Sequence, residues 1–552
     1  MCCVLQGYFS GHNIRLFCAT ISVAFGAGFL IYSTYVTNNV QVVGERWLNQ
    51  SFHEIHGEYP TPDKLAMLWA AVIASKEVGK IFGTLLIPWV AERLGRRGGL
   101  MANNFVILLG SFLCYESLNW PYYTILVGRF LLGISMICGV GLASLFLIEV
   151  APLQCRGSSG ALIQIFRGFG GTMGMVLTLP ELLGTPELWT VALAMPAFPV
   201  LLQFAVLLFS MESPRHLFIT AEDTVKAAAA IKFYQGSSRV IPALEDLRKE
   251  KARIQQQTRV GCDQLVKTPD FWRPFLLTAL ALTNRSLAGI LLVQSYSTDM
   301  FIAAGLEHHT AAYSTVALGI CHLISAILVT FTVEKYGRRP LLLYANVGCL
   351  LSLGLVAVFT GRATSHSFSS YMTVFFMAVF MLIYPVVASV SNVVASEICH
   401  QKIRSYAFTV GLLCYSLVGF VSTFAYPVLK KSLGLSWSYV PFCICLVFTI
   451  IVYAIWLPET KGQTFEQLAF SSSSSNTIGK GGKEMTEDEE PLLNANGDAT
   501  TTSPSSTEDL LNGALIGKDT EQLINKEHDA LVIIENGLTT TTAHRNGFNR
   551  HG

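Results

Sequence analysis

The sequence predicts an all-α membrane protein in which twelve transmembrane helices form two six-helix halves. Two observations support this prediction: the chain is strongly apolar, and the same charged markers occur twice along it. Hydrophobic residues make up 51% of the 552 residues and charged residues 14%, whereas soluble domains contain about 25% charged residues. Several stretches of about 20 residues hold one charge or none, which is enough for a helix to cross a ~30 Å hydrocarbon layer.

A polar linker divides the apolar stretches into two sets of six. It contains two short helix-like segments, near 221–234 and 242–257. The predicted divisions are a cytoplasmic N-terminus at 1–13, halves at 14–211 and 272–470, a cytoplasmic linker with short helices at 212–271, and a disordered cytoplasmic tail at 471–552. The predicted spans are 14–36, 66–91, 100–118, 121–148, 159–183 and 190–211, then 272–295, 311–333, 340–361, 371–396, 405–428 and 437–457.

The distribution of lysine and arginine predicts the orientation of the chain. If the N-terminus is cytoplasmic, the five inner loops contain 20 lysines and arginines and the outer loops contain five. Both termini are therefore predicted to be cytoplasmic, and the plasma membrane is the expected location. The first outer loop contains Asn49-Gln50-Ser51, an N-glycosylation acceptor that is used only on the outer side.

Three charged markers recur in the same order, each after the corresponding span of its half. Their separations are 242, 248 and 247 residues, which predicts two halves of common ancestry. The paired markers are Gly95-Arg96-Arg97 with Gly337-Arg338-Arg339, Glu149 and Arg156 with Glu397 and Arg404, and Glu212-Ser213-Pro214 with Glu459-Thr460-Lys461.

Glutamates beside arginine-rich turns suggest an inner latch between the halves, because carboxylates accept paired hydrogen bonds from guanidinium groups. Exposed pairs contribute only ~0–1 kcal/mol each. A network that forms only when the inner ends meet would still favour one of two conformations. The alternative is that these residues only anchor the topology, which accounts for the arginines but not for the recurring glutamates. The predicted latch residues are Arg96, Arg97, Glu149, Arg156, Glu212, Arg215, Glu334, Arg338, Arg339, Glu397, Arg404 and Glu459.

The chain resembles the sugar porter family of the major facilitator superfamily, and in particular the animal facilitative glucose transporters. Besides the paired markers, the matching motifs are Gly128-Arg129-Phe130, Glu212-Ser213-Pro214-Arg215 and Pro458-Glu459-Thr460-Lys461-Gly462. The resemblance covers about residues 14–468. It implies the major facilitator fold, with a substrate cavity between two six-helix bundles near the bilayer midplane and alternating access by rocking of the halves.

The same resemblance shows where the substrate contacts of the family are replaced. A hexose hydroxyl both donates and accepts, which suits amide side chains, and Gln164 in span five is the one family amide that clearly remains. The family's Q-Q-L-S-G-I-N in span seven is replaced by residues 285–291, its G-P-G-P-I-P-W in span ten by 386–392, and its Asn-Trp pair in span eleven by Tyr415-Ser416. The predicted substrate-binding residues are Gln164, Arg285, Tyr296, Asn392 and Tyr415.

Arg285 stands at the position of a family glutamine, about 20 Å into its span at 1.5 Å per residue. Ionisable groups inside a span are costly and suggest function. The hypothesis is that Arg285 faces the cavity and favours an anionic substrate, such as an organic acid or a urate-like molecule. The alternatives are that Arg285 pairs with a buried carboxylate, or that the cavity does not transport.

Span two contains Lys76, Glu77 and Lys80, of which Glu77 and Lys80 can pair at i,i+3. The competing interpretation of this cluster is a self-neutralised structural pair. Proton-coupled members of the family carry an acidic residue in span one where this chain has Ser33. Uncoupled transport is therefore expected, with Glu77 as the one rival proton site.

The tail contains Asp488-Glu-Glu-Pro-Leu492-Leu493 and Asp519-Thr-Glu-Gln-Leu523-Ile524. Both fit the acidic di-leucine pattern that endocytic adaptors bind, although short patterns also occur by chance in disordered segments. The expected partners are thus a small-molecule substrate, membrane lipid and, at the tail, endocytic adaptors, and no nucleic-acid surface is expected.

The predicted function is facilitative transport of a hexose or a related small polar solute. The alternatives are transport of an organic acid or urate-like substrate, and a non-transporting nutrient sensor on the same fold. The sequence shows no nucleophile–base set, metal-spaced cluster or glycine-rich phosphate loop. An enzyme, a cofactor and a metal site are therefore not expected.

Overall fold

The computed structural model describes residues 14–152, 156–236, 239–256, 269–333, 336–362, 367–399 and 401–460. All regular structure in these ranges is helical, and they lie within one compact unit, Met1–Gly479. The predicted N-terminal segment 1–13 and the tail at 471–552, with its di-leucine motifs, lie outside the described residues.

Nine α-helices form the described part of the first half. They are α1 (Ile14–Phe29), α2 (Tyr32–Tyr35), α3 (Gln41–His56), α4 (Pro62–Arg93), α5 (Gly95–Tyr115), α6 (Tyr123–Val150), α7 (Arg156–Leu177), α8 (Trp189–Ala194) and α9 (Ala197–Leu208).

A linker and a second set of helices follow. The linker contains a π-helical turn at His216–Thr220 and two helices, α10 (Thr224–Gln235) and α11 (Val240–Gln256). The second half contains α12 (Pro269–Leu287), α13 (Ile290–Ala303), α14 (His308–Thr332), α15 (Arg338–Arg362), α16 (Ser367–Ile398), α17 (Gln401–Leu433) and α18 (Val440–Trp456).

The twelve-span fold predicted from the sequence is confirmed. Ten helical stretches in the described ranges are long and apolar enough to cross a membrane. The other two spans are α4, with 32 residues, and α7, with 22. Three charged residues near the middle of α4, and Gln164 and Arg167 in α7, lower their hydropathy. The protein is therefore an integral, multi-pass membrane protein.

Three spans are interrupted where the sequence predicts continuous helices. Span one breaks between Phe29 and Tyr32, span six at Met195-Pro196, and span seven at Ala288-Gly289. Gly289 has φ +79°, a left-handed conformation that glycine adopts without strain. Span seven also continues beyond the predicted end at residue 295, as far as Ala303.

Glycines permit close packing inside the first half. A Cβ atom on Gly133 would lie 2.0 Å from the Lys76 carbonyl oxygen, and one on Gly79 would lie 2.1 Å from that of Phe130. α4 and α6 therefore approach at backbone distance, as membrane helices with small interface residues do. This contact fixes the height and rotation of Lys76 and its neighbours in α4.

The halves meet along two helix pairs, α4 with α17 and α7 with α14. We call the face that carries the turns at 95–97 and 337–339 the basic face, and the other face the opposite face. α3 lies on the opposite face, because it connects the end of span one to the start of α4.

Candidate functional site

A small cavity of about 30 Å³ lies between the two halves. Three of the five predicted substrate contacts line it: Gln164, Arg285 and Tyr415. At this volume the described conformation is constricted, so a hexose-sized solute needs the halves to separate further. The remaining lining residues are Ile31, Arg167, Gln294, His322, Ala326, Tyr384, Pro385, Ala388 and Ser389.

The break in span seven prepares the environment of Arg285. Because α12 ends at Leu287 and the Gly289 amide donates to the Ser286 carbonyl at 3.0 Å, the Arg285 carbonyl lacks its usual intrahelical partner. The Tyr384 hydroxyl, from α16, donates to the Arg285 carbonyl at 3.1 Å. A cationic side chain in the last turn of a helix is also favoured by the helix dipole.

The guanidinium of Arg285 has only neutral partners among the described residues. Its Nη1 donates to Asn392 Oδ1 at 3.2 Å, and its Cζ lies 5.0 Å from the centroid of the Tyr415 ring. Its Nε is buried without a described hydrogen-bond partner. Asn392 is absent from the cavity lining, so the structure shows it holding Arg285.

Tyr296, the fifth predicted contact, lies away from the cavity. Its hydroxyl donates to the Thr423 carbonyl at 3.0 Å, and its ring lies 4.4 Å, centroid to centroid, from that of Tyr426. The structure thus places Tyr296 in the packing between α13 and α17. Its contact with the substrate stays a prediction.

Sequence reasoning did not select His322, Tyr384 or Gln294 as cavity residues. His322 is an ionisable residue inside a span, and that signal could have identified it. Tyr384 and Gln294 carry no comparable sequence signal, because polar residues are common in these helices. Their position in the lining depends on how α16 and α13 are rotated in the fold.

Hydrogen bonds join the halves on the opposite face. Asn38 Nδ2 donates to the Gln294 carbonyl at 2.5 Å, and Gln294 Nε2 donates to the Tyr35 hydroxyl at 2.7 Å. Thr298 Oγ1 donates to Asn39 Oδ1 at 2.7 Å. These residues follow the breaks of spans one and seven. The cavity is therefore closed toward the opposite face.

The charged residues of α4 form a buried cluster. Lys80 Nζ lies 2.8 Å from both carboxylate oxygens of Glu77, so the predicted i,i+3 pair is present. Lys76 Nζ donates to Thr34 Oγ1 at 2.6 Å and lies 3.5 Å from Glu77. Arg129, from the Gly128-Arg129-Phe130 motif, donates to the carbonyl groups of Val72 and Ser33 at 2.9 and 3.1 Å.

The glutamate of the E-S-P-R motif caps a helix in the first half. Glu212 accepts from the backbone amides of Arg96 and Arg97 at 2.8 and 2.9 Å. Amides at a helix N-terminus favour an anion in this way. The Arg96 side chain then donates to Glu149 at 2.9 Å, and Ser213 Oγ also donates to Glu149.

The second half contains the equivalent of each of these four hydrogen bonds. Glu459 accepts from the backbone amides of Arg338 and Arg339 at 2.9 and 3.2 Å. The Arg338 side chain donates to Glu397 at 3.2 Å, and Thr460 Oγ1 donates to Glu397 at 2.5 Å. The internal repeat inferred from sequence thus extends to individual atoms.

The ion pairs described at the basic face lie within one half, within the linker, or between the linker and the first half. Arg215 of the linker contacts Glu250 of the linker at 2.8 Å and Glu149 of the first half at 3.3 Å. The structure therefore shows these residues holding each half together. Their role as a latch between the halves stays a prediction. Glu334 and the side chain of Arg156 lie outside the described residues, and Arg404 donates to the Cys399 carbonyl at 3.3 Å.

Asn49, the predicted glycosylation site, lies half-buried in α3, and Ser51 of the same motif is 7% exposed. α3 lies on the opposite face, and both the outer location of Asn49 and its glycosylation stay predictions.

Two repeated six-helix halves around a central cavity, closed on one side by contacts between them, define a membrane transporter of the alternating-access type. The chain belongs to the sugar (and other) transporter family, whose model matches residues 19–470. Members of this family are transporters and not enzymes, as predicted.

Individual relatives and solved structures agree with this assignment. The solute carrier family 2, facilitated glucose transporter member 7 of Homo sapiens is 29% identical over 460 residues, which is 82% of this chain and 89% of the relative. Member 3 of Mus musculus is 27% identical over 456 residues, 82% and 91% of the two chains. The partially occluded inward-open form of the xylose transporter XylE from E. coli matches with a TM-score of 0.66 and 18% identity, over 82% of this chain and 100% of that one.

Proposed function

We propose that the protein is a facilitative, uncoupled transporter that moves a hexose or a related hydroxylated solute by alternating access. The observation that supports this most is the cavity itself, which is lined by residues from both halves and is closed toward one face. Several relatives are named facilitated glucose transporters. A carrier of this fold would release the bonds at one face as it closes at the other.

The lining supports recognition of hydroxyl groups. Gln164 Nε2 and Ser389 Oγ face each other at 3.5 Å across the two halves, a distance long enough for both to turn toward a solute. Gln294 and Tyr384 add further groups that donate and accept. Such a set suits a solute with several hydroxyl groups, since each hydroxyl does both.

Uncoupled transport is supported by the surroundings of Arg129. Ser33, at the position where coupled members carry an acid, contacts Arg129 only through its carbonyl oxygen. Glu77, the rival proton site, is held between Lys80 and Lys76. Its protonation would leave the buried ammonium of Lys80 without its carboxylate, which is costly.

We also propose that the basic face is cytoplasmic and that the protein resides in the plasma membrane, with both termini inside, on the basis of the lysine and arginine distribution. On this orientation the described conformation is closed to the outside. The paired charged turns of the halves would then approach each other when the cavity opens outward. Adaptor binding at the tail remains part of this proposal.

The test is uptake by the purified full chain in proteoliposomes, with a panel of labelled hexoses, polyols and sugar acids. Saturable flux with exchange against unlabelled solute on the far side is expected, because a carrier that returns loaded reorients faster than one that returns empty. A pH gradient should not drive accumulation of a neutral solute. If no member of the panel shows saturable flux, the proposal fails, and a non-transporting sensor becomes the better interpretation.

A further inference from the structure

We propose that the central cavity binds its solute as an anion, specifically a hexose-sized polyhydroxylated carboxylate, through Arg167 and Arg285. This inference rests on the proposed function and specifies the class of its substrate. Both arginines line the cavity, Arg167 from α7 in the first half and Arg285 from α12 in the second. A single solute between them would contact both halves.

Neither guanidinium is neutralised by the described residues. Arg285 is held by Asn392 and by the face of Tyr415, which are neutral, and its Nε has no described partner. Arg167 forms no hydrogen bond or ion pair with a described residue, and the charge of Arg285 acts on it. Two like charges beside one small cavity repel each other, and an anion between them would remove that repulsion.

The buried carboxylate of Glu77 is already paired with Lys80 at 2.8 Å and lies 3.5 Å from Lys76. Lys80 itself lies 5.5 Å from the centroid of the Tyr415 ring, the same ring that contacts Arg285. The cluster on α4 therefore offers no free carboxylate that could neutralise the arginines beside the cavity. This environment disfavours a cationic solute and favours a negative one.

The type of anion follows from the remaining groups. A guanidinium offers two parallel N–H donors, which fit the two oxygens of a carboxylate. Gln164 and Ser389 provide an amide and a hydroxyl beside the arginines, suitable for the hydroxyl groups of the same solute. Together these groups fit a sugar acid better than a neutral hexose or a purely apolar acid.

Uncoupled movement of a monoanion transfers a negative charge across the membrane. Its accumulation therefore follows the membrane potential, whereas that of a neutral hexose does not. An inside-positive potential of about 60 mV should accumulate a monoanion about tenfold at equilibrium. This equilibrium ratio distinguishes transport of the anion from mere binding.

The experiment compares three labelled pyranoses in proteoliposomes of the full chain: glucuronate, glucose and glucosamine, which are negative, neutral and positive. We expect half-saturation for glucuronate at a concentration about tenfold lower than for glucose. This ratio corresponds to the difference in free energy between a charge-assisted and a neutral hydrogen bond. Glucosamine should compete least. Glucuronate accumulation should reverse direction with the sign of an imposed potassium–valinomycin potential.

Arg167→Gln and Arg285→Gln should each lower the preference for glucuronate over glucose several-fold, and Arg285→Lys should retain part of it. Continued glucose exchange in the Gln variants shows that they fold. The matched control is Arg362→Gln, at the exposed end of α15, which should leave the preference unchanged. If the Gln variants keep the full preference, the assignment to these arginines is wrong.

The two proposals fail in different ways. Saturable glucose flux, with glucuronate neither transported nor competing, overturns the anion inference and leaves the proposed function intact. Equal competition by glucosamine and glucuronate overturns it as well. No saturable flux of any of the three, nor of the wider panel, overturns the proposed function itself.

Discussion

Gly95 and Gly337 occupy equivalent places in the two charged turns, and the same contact requires glycine at both. A Cβ atom on Gly95 would lie 2.5 Å from Glu212 Oε2, and one on Gly337 would lie 2.6 Å from Glu459 Oε2. Gly95 also has φ +76°. The glycines leave space for the carboxylate that caps the following helix, so they serve the capping contact and not only the bend.

We predict that Gly95→Ala and Gly337→Ala each lower the stability of the protein. The left-handed conformation alone costs about 1–2 kcal/mol at residue 95, and the added methyl displaces the capping carboxylate at both positions. Thermal unfolding in detergent should show a lower midpoint. The control is Gly98→Ala, where the nearest atom would lie 3.7 Å away. Equal midpoints for Gly95→Ala and Gly98→Ala would contradict the capping account.

His216 should make the charged turn of the first half sensitive to acid. Its Nδ1 lies 2.9 Å from Arg96 Nη1, which can only donate, so the imidazole accepts and is neutral. Burial lowers the pKa of His216, and Arg96 adds to this effect, while Glu212 and Glu149 act in the other direction. The imidazole of His216 therefore takes up a proton near pH 6.5 in the unfolded chain, but only at a lower pH in the folded protein.

As the pH falls below about 6.5, the wild type should thus lose stability. Above this pH, the contribution of neutral His216 to the stability of the fold is fully present. His216→Asn keeps an acceptor for Arg96 but does not titrate. We expect its unfolding midpoint to fall less than that of the wild type between neutral and mildly acidic pH. Parallel decreases would show that His216 is not responsible.

The elements that matter most for transport are the broken first helices of the two halves, spans one and seven. Each break ends one helix beside the cavity, and the segment beyond it, α2 or α13, contributes to the closure on the opposite face. A helix interrupted at the membrane midplane exposes backbone groups where a cavity can use them. The break in span seven depends on Gly289 and places Arg285 in the last turn of α12.

We predict that Gly289→Ala impairs transport more than stability. A Cβ atom there would lie 3.0 Å from the Phe442 ring, and alanine disfavours φ +79°. The end of α12 must then shift, which moves Arg285 relative to Asn392. Flux should fall several-fold, whereas Gly354→Ala in α15, with open space around its Cβ, should behave as wild type. Unchanged flux in Gly289→Ala would contradict this role of the break.

At the scale of the whole molecule, the charged turns make each half a unit, and separate contacts join the halves. The joining side-chain contacts lie on the opposite face, where Lys431 forms an ion pair with Asp63 and His309 Nδ1 lies 3.2 Å from Glu181. Exposed pairs of this kind contribute ~0–1 kcal/mol each, so they can break during a transport cycle. The geometry thus fits two rigid halves that rock about the cavity.

A reversible cross-link should therefore trap one conformation. In Asp63→Cys/Lys431→Cys, a reducible thiol cross-linker of about the length of the original ion pair should hold the opposite face closed and stop exchange. A reducing agent should restore it. The single-cysteine variants and the wild type, treated in the same way, control for reaction with native cysteines. Full exchange by protein shown to be cross-linked would mean that this face need not open.

The sequence by itself determined the twelve-span fold, the internal repeat and the family, because membrane spans and their charged ends are local patterns that need no knowledge of packing. It also identified Gln164, Arg285 and Tyr415, which the structure brings together at one cavity. It did not predict the breaks in spans one and seven, because neither Leu30-Ile31 nor Gly289 stands out inside an apolar stretch. Tertiary structure alone decided that Asn392 holds Arg285, that Tyr296 packs elsewhere and that the charged turns bond within each half. These contacts depend on helix rotation and on distances between residues more than 50 positions apart, which local patterns do not contain.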